Sequence, residues 1–150
     1  MSIAKAALSA VLALTAFGAV SPVARAADPK EVLLTAPDQI VWTGDKVKKA
    51  ILYGDPDKEG SHYVMLLRWP PNFSTRPHSH PHDRMLTVLE GTLWVNSGKT
   101  YHPEGATPMK PGSFIVDIAD QAHYEVTKGD GALIEITGIG KDTLVPREEK

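Results

Sequence analysis

A chain of 150 residues with 16 Lys and Arg against 18 Asp and Glu carries a net charge of −2 and no strongly basic stretch, which argues against nucleic acid and anionic lipid as partners. Cysteine is absent, so disulfides and thiolate metal ligands are excluded and any ion must be held by His, Asp or Glu. The length suits one domain with a core that needs no cross-links.

Residues 1–26 read as an export signal. Lys5 supplies the positive start, and Ala6 to Val20 form an uncharged run of small and apolar residues, too short to span a bilayer as a mature helix. Ala24-Arg25-Ala26 fits the small-x-small cleavage rule, which places the cut before Ala27; an uncleaved anchor is the alternative. The expected mature protein is a single domain over residues 27–150, periplasmic or secreted, with no membrane attachment after cleavage. Lys5 and Arg25 leave with the signal and no acid does, so the charge falls from −2 to −4.

Twelve prolines and twelve glycines break the chain into short runs rich in β-branched, aromatic and leucine residues, which predicts an all-β domain. In chain order the expected strands are 40–43, 49–53, 62–69, 84–89, 92–96, 113–118, 123–127 and 133–138. Between them "GDPDKEGS", "PPN", "NSGK", "HPEGATPMKPG" and "TKGDGA" carry the residues that turns require. Eight such strands suggest a sandwich or small barrel. Only 37–50 and the tail from Lys141 leave room for a helix, neither with a clean period of 3.6, and "PREEK" reads as a solvated end.

The stretch "RPHSHPHDRMLTVLEG" places His78, His80 and His82 at alternate positions. On a strand, residues i and i+2 share a face about 6.6 to 6.8 Å apart, close enough for two imidazoles to lean toward one ion. His78 and His82 would be about 13 Å apart, so a straight strand cannot bring all three to one ion. Pro81 and Asp83 make "HPHD" a turn, which puts His78 and His80 at the end of one strand and leaves His82 as a spare ligand. Exposed loop histidines are the competing reading.

The pattern resembles the cupin superfamily. The first cupin motif runs G, five residues, HxH, three or four residues, E, six residues, G; here Asn72, His78, His80, Arg84 and Gly91 occupy those places. The second runs G, five residues, PxG, two residues, H, three residues, N; here Gly112, then Ile118-Ala119-Asp120, His123 and Thr127 follow the same spacing. The resemblance covers about residues 62–137 and implies a single cupin-type β-barrel, a double-stranded β-helix or jelly roll. It also implies one divalent ion, with iron, manganese and zinc all admissible, held by His78, His80 and His123. The motif glutamate is replaced by Arg84, which cannot ligate because it offers only donors.

Three neutral imidazoles would leave a divalent ion its full charge and open positions. A guanidinium facing that ion would favour an anionic substrate group, with Arg84 as its clamp; the alternative turns Arg84 outward to pair with Asp83, Glu90 or Asp117. Strand alternation points Asp83 away if Arg84 points in. His62 and His102 fall outside both motifs, while Met85, Trp94, Tyr101, Phe114 and Tyr124 serve either as core or as pocket lining. The expected function is a metal-dependent oxygenase, or a lyase or isomerase, acting on a small organic molecule. The alternative is a non-catalytic metal-binding or small-ligand cupin of the cell envelope, and a homodimer paired through strand edges is expected in either case.

Overall fold

The computed structural model describes residues 32–149, so the expected signal and its cleavage point lie outside the described residues. The unit Thr35–Lys150 is built from β1 (Lys48–Gly54), β2 (His62–Trp69), β3 (His78–Ser79), β4 (Arg84–Ser97), β5 (Thr107–Met109), β6 (Phe114–Asp117), β7 (His123–Ile139) and β8 (Val145–Pro146), with short 3-10 turns at Pro37–Gln39 and Pro103–Gly105. Among the described residues no helix is long and apolar enough to cross a membrane.

All pairings are antiparallel. β7 is the centre, paired with β2, β3 and β4, while β4 also pairs with β5 and β6. Alternation along each strand sends one set of side chains inward: Tyr63, Met65 and Trp69 from β2, Leu86 and Val88 from β4, Ile134 and Ile136 from β7. Leu86 and Leu93 are essentially sealed from solvent, so replacing either by Ala should cost about 2–5 kcal/mol.

The expected strands 84–89 and 92–96 are one strand, β4, bent by register shifts between Val88 and Glu90 and between Gly91 and Leu93. Likewise 123–127 and 133–138 merge into β7; the "KGDG" segment, expected as a turn between strands, is bulged chain inside it, since Leu93 faces Thr127 while Gly91 faces Ala132. The strand expected at 40–43 does not form. Thr43 makes one bridge to Lys49, and Ile40 and Trp42 instead pack on the outer face of the sheet, over Ala50, Leu66 and Leu133. The 3-10 turn at Pro37–Gln39 is the only helical element in 37–50.

Asn72 and Asp120 stand where the two motifs resembled above carry glycine, and both take the left-handed conformation, with φ of 55° and 59°. Asn and Asp tolerate that region better than other residues with a side chain, so the turns survive the substitutions. The first turn leads through Ser74, which bridges to Val126, into β3, where His78 pairs directly with His123.

The C-terminal tail is docked, although Pro146, Glu148 and Glu149 stay exposed as expected. β8 pairs with β3, Arg147 Nε donates to Ser79 Oγ at 2.8 Å, and Arg76 and Lys99 hold Glu148 and Glu149. The preceding turn is fixed by Asp142 N donating to Pro56 O and Gly140 N to Ser61 O, each at 2.8 Å.

Candidate metal centre

Register places the histidines. His78 and His123 are cross-strand partners, so their side chains share a face, and His80 returns to that face two residues later. The ring centroids lie 4.6 Å apart for His78 and His123, 5.0 Å for His78 and His80, and 5.5 Å for His80 and His123. All three rings are buried, and together they are positioned to hold a metal ion.

Backbone carbonyls set the tautomers of two of them. His78 Nδ1 lies 2.8 Å from Arg76 O, and His123 Nδ1 lies 3.0 Å from Gln121 O. A carbonyl only accepts, so each Nδ1 carries the proton and each Nε2 presents a lone pair inward, as metal-ligating imidazoles require. His123 Nε2 and both ring nitrogens of His80 have no hydrogen-bond partner despite burial. Orphaned buried nitrogens are costly unless an ion or water meets them, which fits a metal centre.

Carboxylates surround the same point. Asp117 Oδ2 and Glu125 Oε1 lie 3.5 and 3.7 Å from His123 Nε2, and Glu125 Oε2 lies 3.9 Å from His78 Nε2. Asp117, His123 and Glu125 form a second group with ligand spacing. Asp142 Oδ1 is 3.0 Å from His80 Nδ1, although the approach lacks hydrogen-bond geometry. Glu125 is anchored by Thr75, whose hydroxyl donates to Oε2 at 2.8 Å and accepts from Glu125 N at 2.9 Å.

Arg84 points inward, where its strand partner Asp117 also points. Its Nη2 donates to Asp117 Oδ2 at 2.6 Å and its Nη1 to Asp142 Oδ1 at 3.3 Å. The inward orientation and the Asp117 pairing, weighed above as alternatives, therefore occur together. Two carboxylates already occupy the guanidinium.

Burial lowers the pKa of His78 below the ordinary value of 6.5, against the opposing pull of Glu125. Burial alone would lower that of Arg84, but Asp117, Asp142 and Glu125 outweigh it and the net direction is up. Burial would raise Asp142, yet His80 and Arg84 outweigh it and hold the carboxyl below the usual carboxylate range. Tyr63, buried near these charges, has its hydroxyl pKa raised, first by burial and then by Asp142, and its Oη makes no hydrogen bond.

The remaining histidines lie elsewhere. His82 is part-exposed, 3.4 Å from Glu59 Oε1, and belongs to neither group with ligand spacing. Asp83 turns away, as alternation requires, and accepts from Ala119 N at 2.7 Å. His62 and His102 are exposed. Met85 and Phe114 face outward into solvent, so they are neither core nor pocket lining, whereas Tyr124 is buried, its hydroxyl held by Asn96 and His102 N. Glu125 and Asp142 went unnoticed in the sequence. For Glu125 a signal existed, since it stands two residues beyond His123 on one strand and so shares its face.

No family model matches this chain, and no curated protein does. Solved structures do. The polyketide cyclase RemF from Streptomyces resistomycificus superposes with a TM-score of 0.64 at 17% identity, over 80% of this chain and 88% of that one. An RmlC-like cupin from Shewanella frigidimarina gives 0.57 at 16% identity, over 74% and 94%. The chain has the cupin fold. A structure of the DMSP lyases RdDddP and RnDddQII also superposes at 0.57 with 16% identity, over 74% and 63%. Within the cupin fold, the position of the usual motif glutamate is here held by an arginine tied to acids from β6 and the tail.

Proposed function

We propose that this protein binds one divalent ion through His78, His80 and His123 and acts with it on a small organic molecule by non-oxidative chemistry of the lyase or isomerase kind. The observation that carries the proposal is the convergence of three buried imidazoles, of which His80 and His123 leave ring nitrogens without hydrogen-bond partners. A bound ion would serve as a Lewis acid toward a carbonyl or an enolate. Around it the chain supplies groups suited to moving protons. Asp142, held ionised, can accept one at Oδ1, and Tyr63, which keeps its proton, can donate from Oη. Barrels of this shape are described as a polyketide cyclase, DMSP lyases and a sugar phosphate isomerase, which supports the reaction class without choosing the substrate. A second reading, non-catalytic metal binding, draws on the near-complete burial of the ligands.

The test is metal analysis of the purified protein, followed by assays on small carbonyl and carboxylate compounds with metal removed and restored. One ion per chain and a product rearranged or eliminated without oxygen uptake is the expected result. Oxygen consumption would move the reading to the oxygenase side. Stoichiometric metal without turnover would leave binding as the function, and wild-type protein that takes up no ion would overturn the site.

We also propose export and pairing of two copies. Export rests on residues 1–26, and N-terminal sequencing should find Ala27 first; an intact Met1 on membrane-bound protein would mean a tether. Pairing is supported by the outer face of β6. Phe114 and Val116 stand exposed there beside Met85 of β4, and among the described residues β6 pairs with β4 alone. A second copy related by a two-fold axis would cover both the apolar face and the open edge. Sedimentation at the mass of one chain would contradict it.

A further inference from the structure

The histidine site proposed above contains a conflict that a bound cation resolves. His123 Nε2 and His78 Nε2 present lone pairs, because their other nitrogens donate to carbonyls. The Glu125 carboxylate lies between them, with Oε1 at 3.7 Å from one and Oε2 at 3.9 Å from the other, and Asp117 Oδ2 stands 3.5 Å from His123 Nε2. Acceptors facing acceptors gain nothing from one another.

The charges point the same way. Two buried carboxylates, Asp117 and Glu125, and the part-buried Asp142 lie around one buried guanidinium, Arg84, so with neutral imidazoles the cluster carries −2. Arg84 is committed to Asp117 and Asp142. Among the described residues no lysine or arginine pairs with Glu125. A divalent ion at the histidines would bring the sum to zero, and buried charge persists only when it is matched in this way.

We propose that Glu125 supplies the carboxylate ligand of the ion held by His78, His80 and His123, and that Arg84 is a positioning residue that braces Asp117 and Asp142 beside it. The carboxylate has thus moved from β4 to β7, two residues beyond His123 on the same face. Thr75 keeps it aimed by a hydroxyl bond to Oε2, which leaves Oε1 toward the ion site. With the charge closed by the protein itself, the site favours a neutral organic substrate or one that binds without a net negative charge.

The test compares wild type, Glu125→Gln and His123→Ala after chelation and dialysis, each titrated with cobalt followed by visible absorption and by thermal unfolding. Glutamine keeps the volume and can still accept from Thr75. Glu125→Gln should bind cobalt at least about tenfold more weakly, with an altered ligand-field spectrum. Without metal it should unfold no lower than wild type, because a buried unmatched charge has been removed, and cobalt should raise its Tm less. Wild-type affinity and spectrum in Glu125→Gln, alongside lost binding in His123→Ala, would overturn the Glu125 assignment alone. Unchanged binding in both variants would overturn the histidine site itself. Should Glu125→Gln not fold, Glu125→Asp, which keeps the charge but withdraws the oxygens, takes its place: weakened cobalt binding supports the proposal and wild-type binding overturns it.

Discussion

An imidazole ligates only through a nitrogen without a proton, so competition between ion and proton sets the behaviour of each histidine here. Replacing His78, His80 or His123 with Ala should weaken divalent-metal binding about 10-fold to 100-fold or more, whereas His62→Ala and His102→Ala should leave it unchanged; titration calorimetry reads the difference directly. Burial depresses the pKa of His78 in the fold, so below about pH 6.5 the unfolded chain takes up the proton first. The stability held by neutral His78 is therefore complete above that pH and is lost as pH falls toward the depressed folded value. For Asp142 the same logic acts lower, its contribution being present above the ordinary carboxylate pKa of 3.8 and lost as pH falls below it. Denaturant melts of metal-free protein should show a decline beginning near pH 6.5, and stability rising on acidification from pH 7 to 5 would contradict the burial argument. His78 and His80 were legible in the sequence from their strand spacing, and His123 only through the resemblance to the second cupin motif. His82 shared the alternation but sits past Pro81, outside the cluster.

Composition made β2 legible from His62 to Trp69, as a run of aromatic, β-branched and leucine residues bounded by turn signals. It could not show that β4 and β7 run unbroken through Gly91 and the "KGDG" bulge, because glycine and polar residues look like a turn whether the chain reverses or only bends. β3, β5 and β8 are two or three residues long and exist only by virtue of their neighbours, so no periodicity marks them. The turn before β3 has a sharper local cause. Asn72 holds φ at 55° with its N–H donating to Lys128 O, and this sets where the strand carrying His78 begins. Asn72→Gly should therefore leave stability nearly unchanged. Asn72→Val, β-branched in the left-handed region, should cost about 1–2 kcal/mol and lower the Tm by several degrees. Equal melting of the two variants would show that the conformation at this position is not what holds the turn.

Across the whole molecule, the site is assembled from strands distant in sequence, and the tail completes it. Asp142 lies on an irregular segment that reaches the cluster only because β8 pairs with β3 and Asp142 N is held by Pro56 O, so nothing local to "GKDTL" could have marked it. Its position changes the meaning of Arg84. Read from the motif alone, the guanidinium adds positive charge to the ion; in the fold it offsets part of an acidic shell. Removing it should then have two effects of opposite sign. Arg84→Met keeps much of the volume but leaves Asp117 and Asp142 buried without their cation, and metal-free protein should lose about 3–5 kcal/mol of stability. The same change removes a positive charge beside the ion, so divalent metal should bind more tightly and add more to the stability of the variant than to that of wild type, since the gain grows with affinity at fixed metal concentration. Thermal melts of both proteins, with and without saturating manganese or zinc, measure the two effects together. The Tm gap should be wide without metal and narrower with it. A gap that stays the same would mean that Arg84 braces the strands without sharing charge with the ion, and the account of the site as a matched set of charges would fail at that residue.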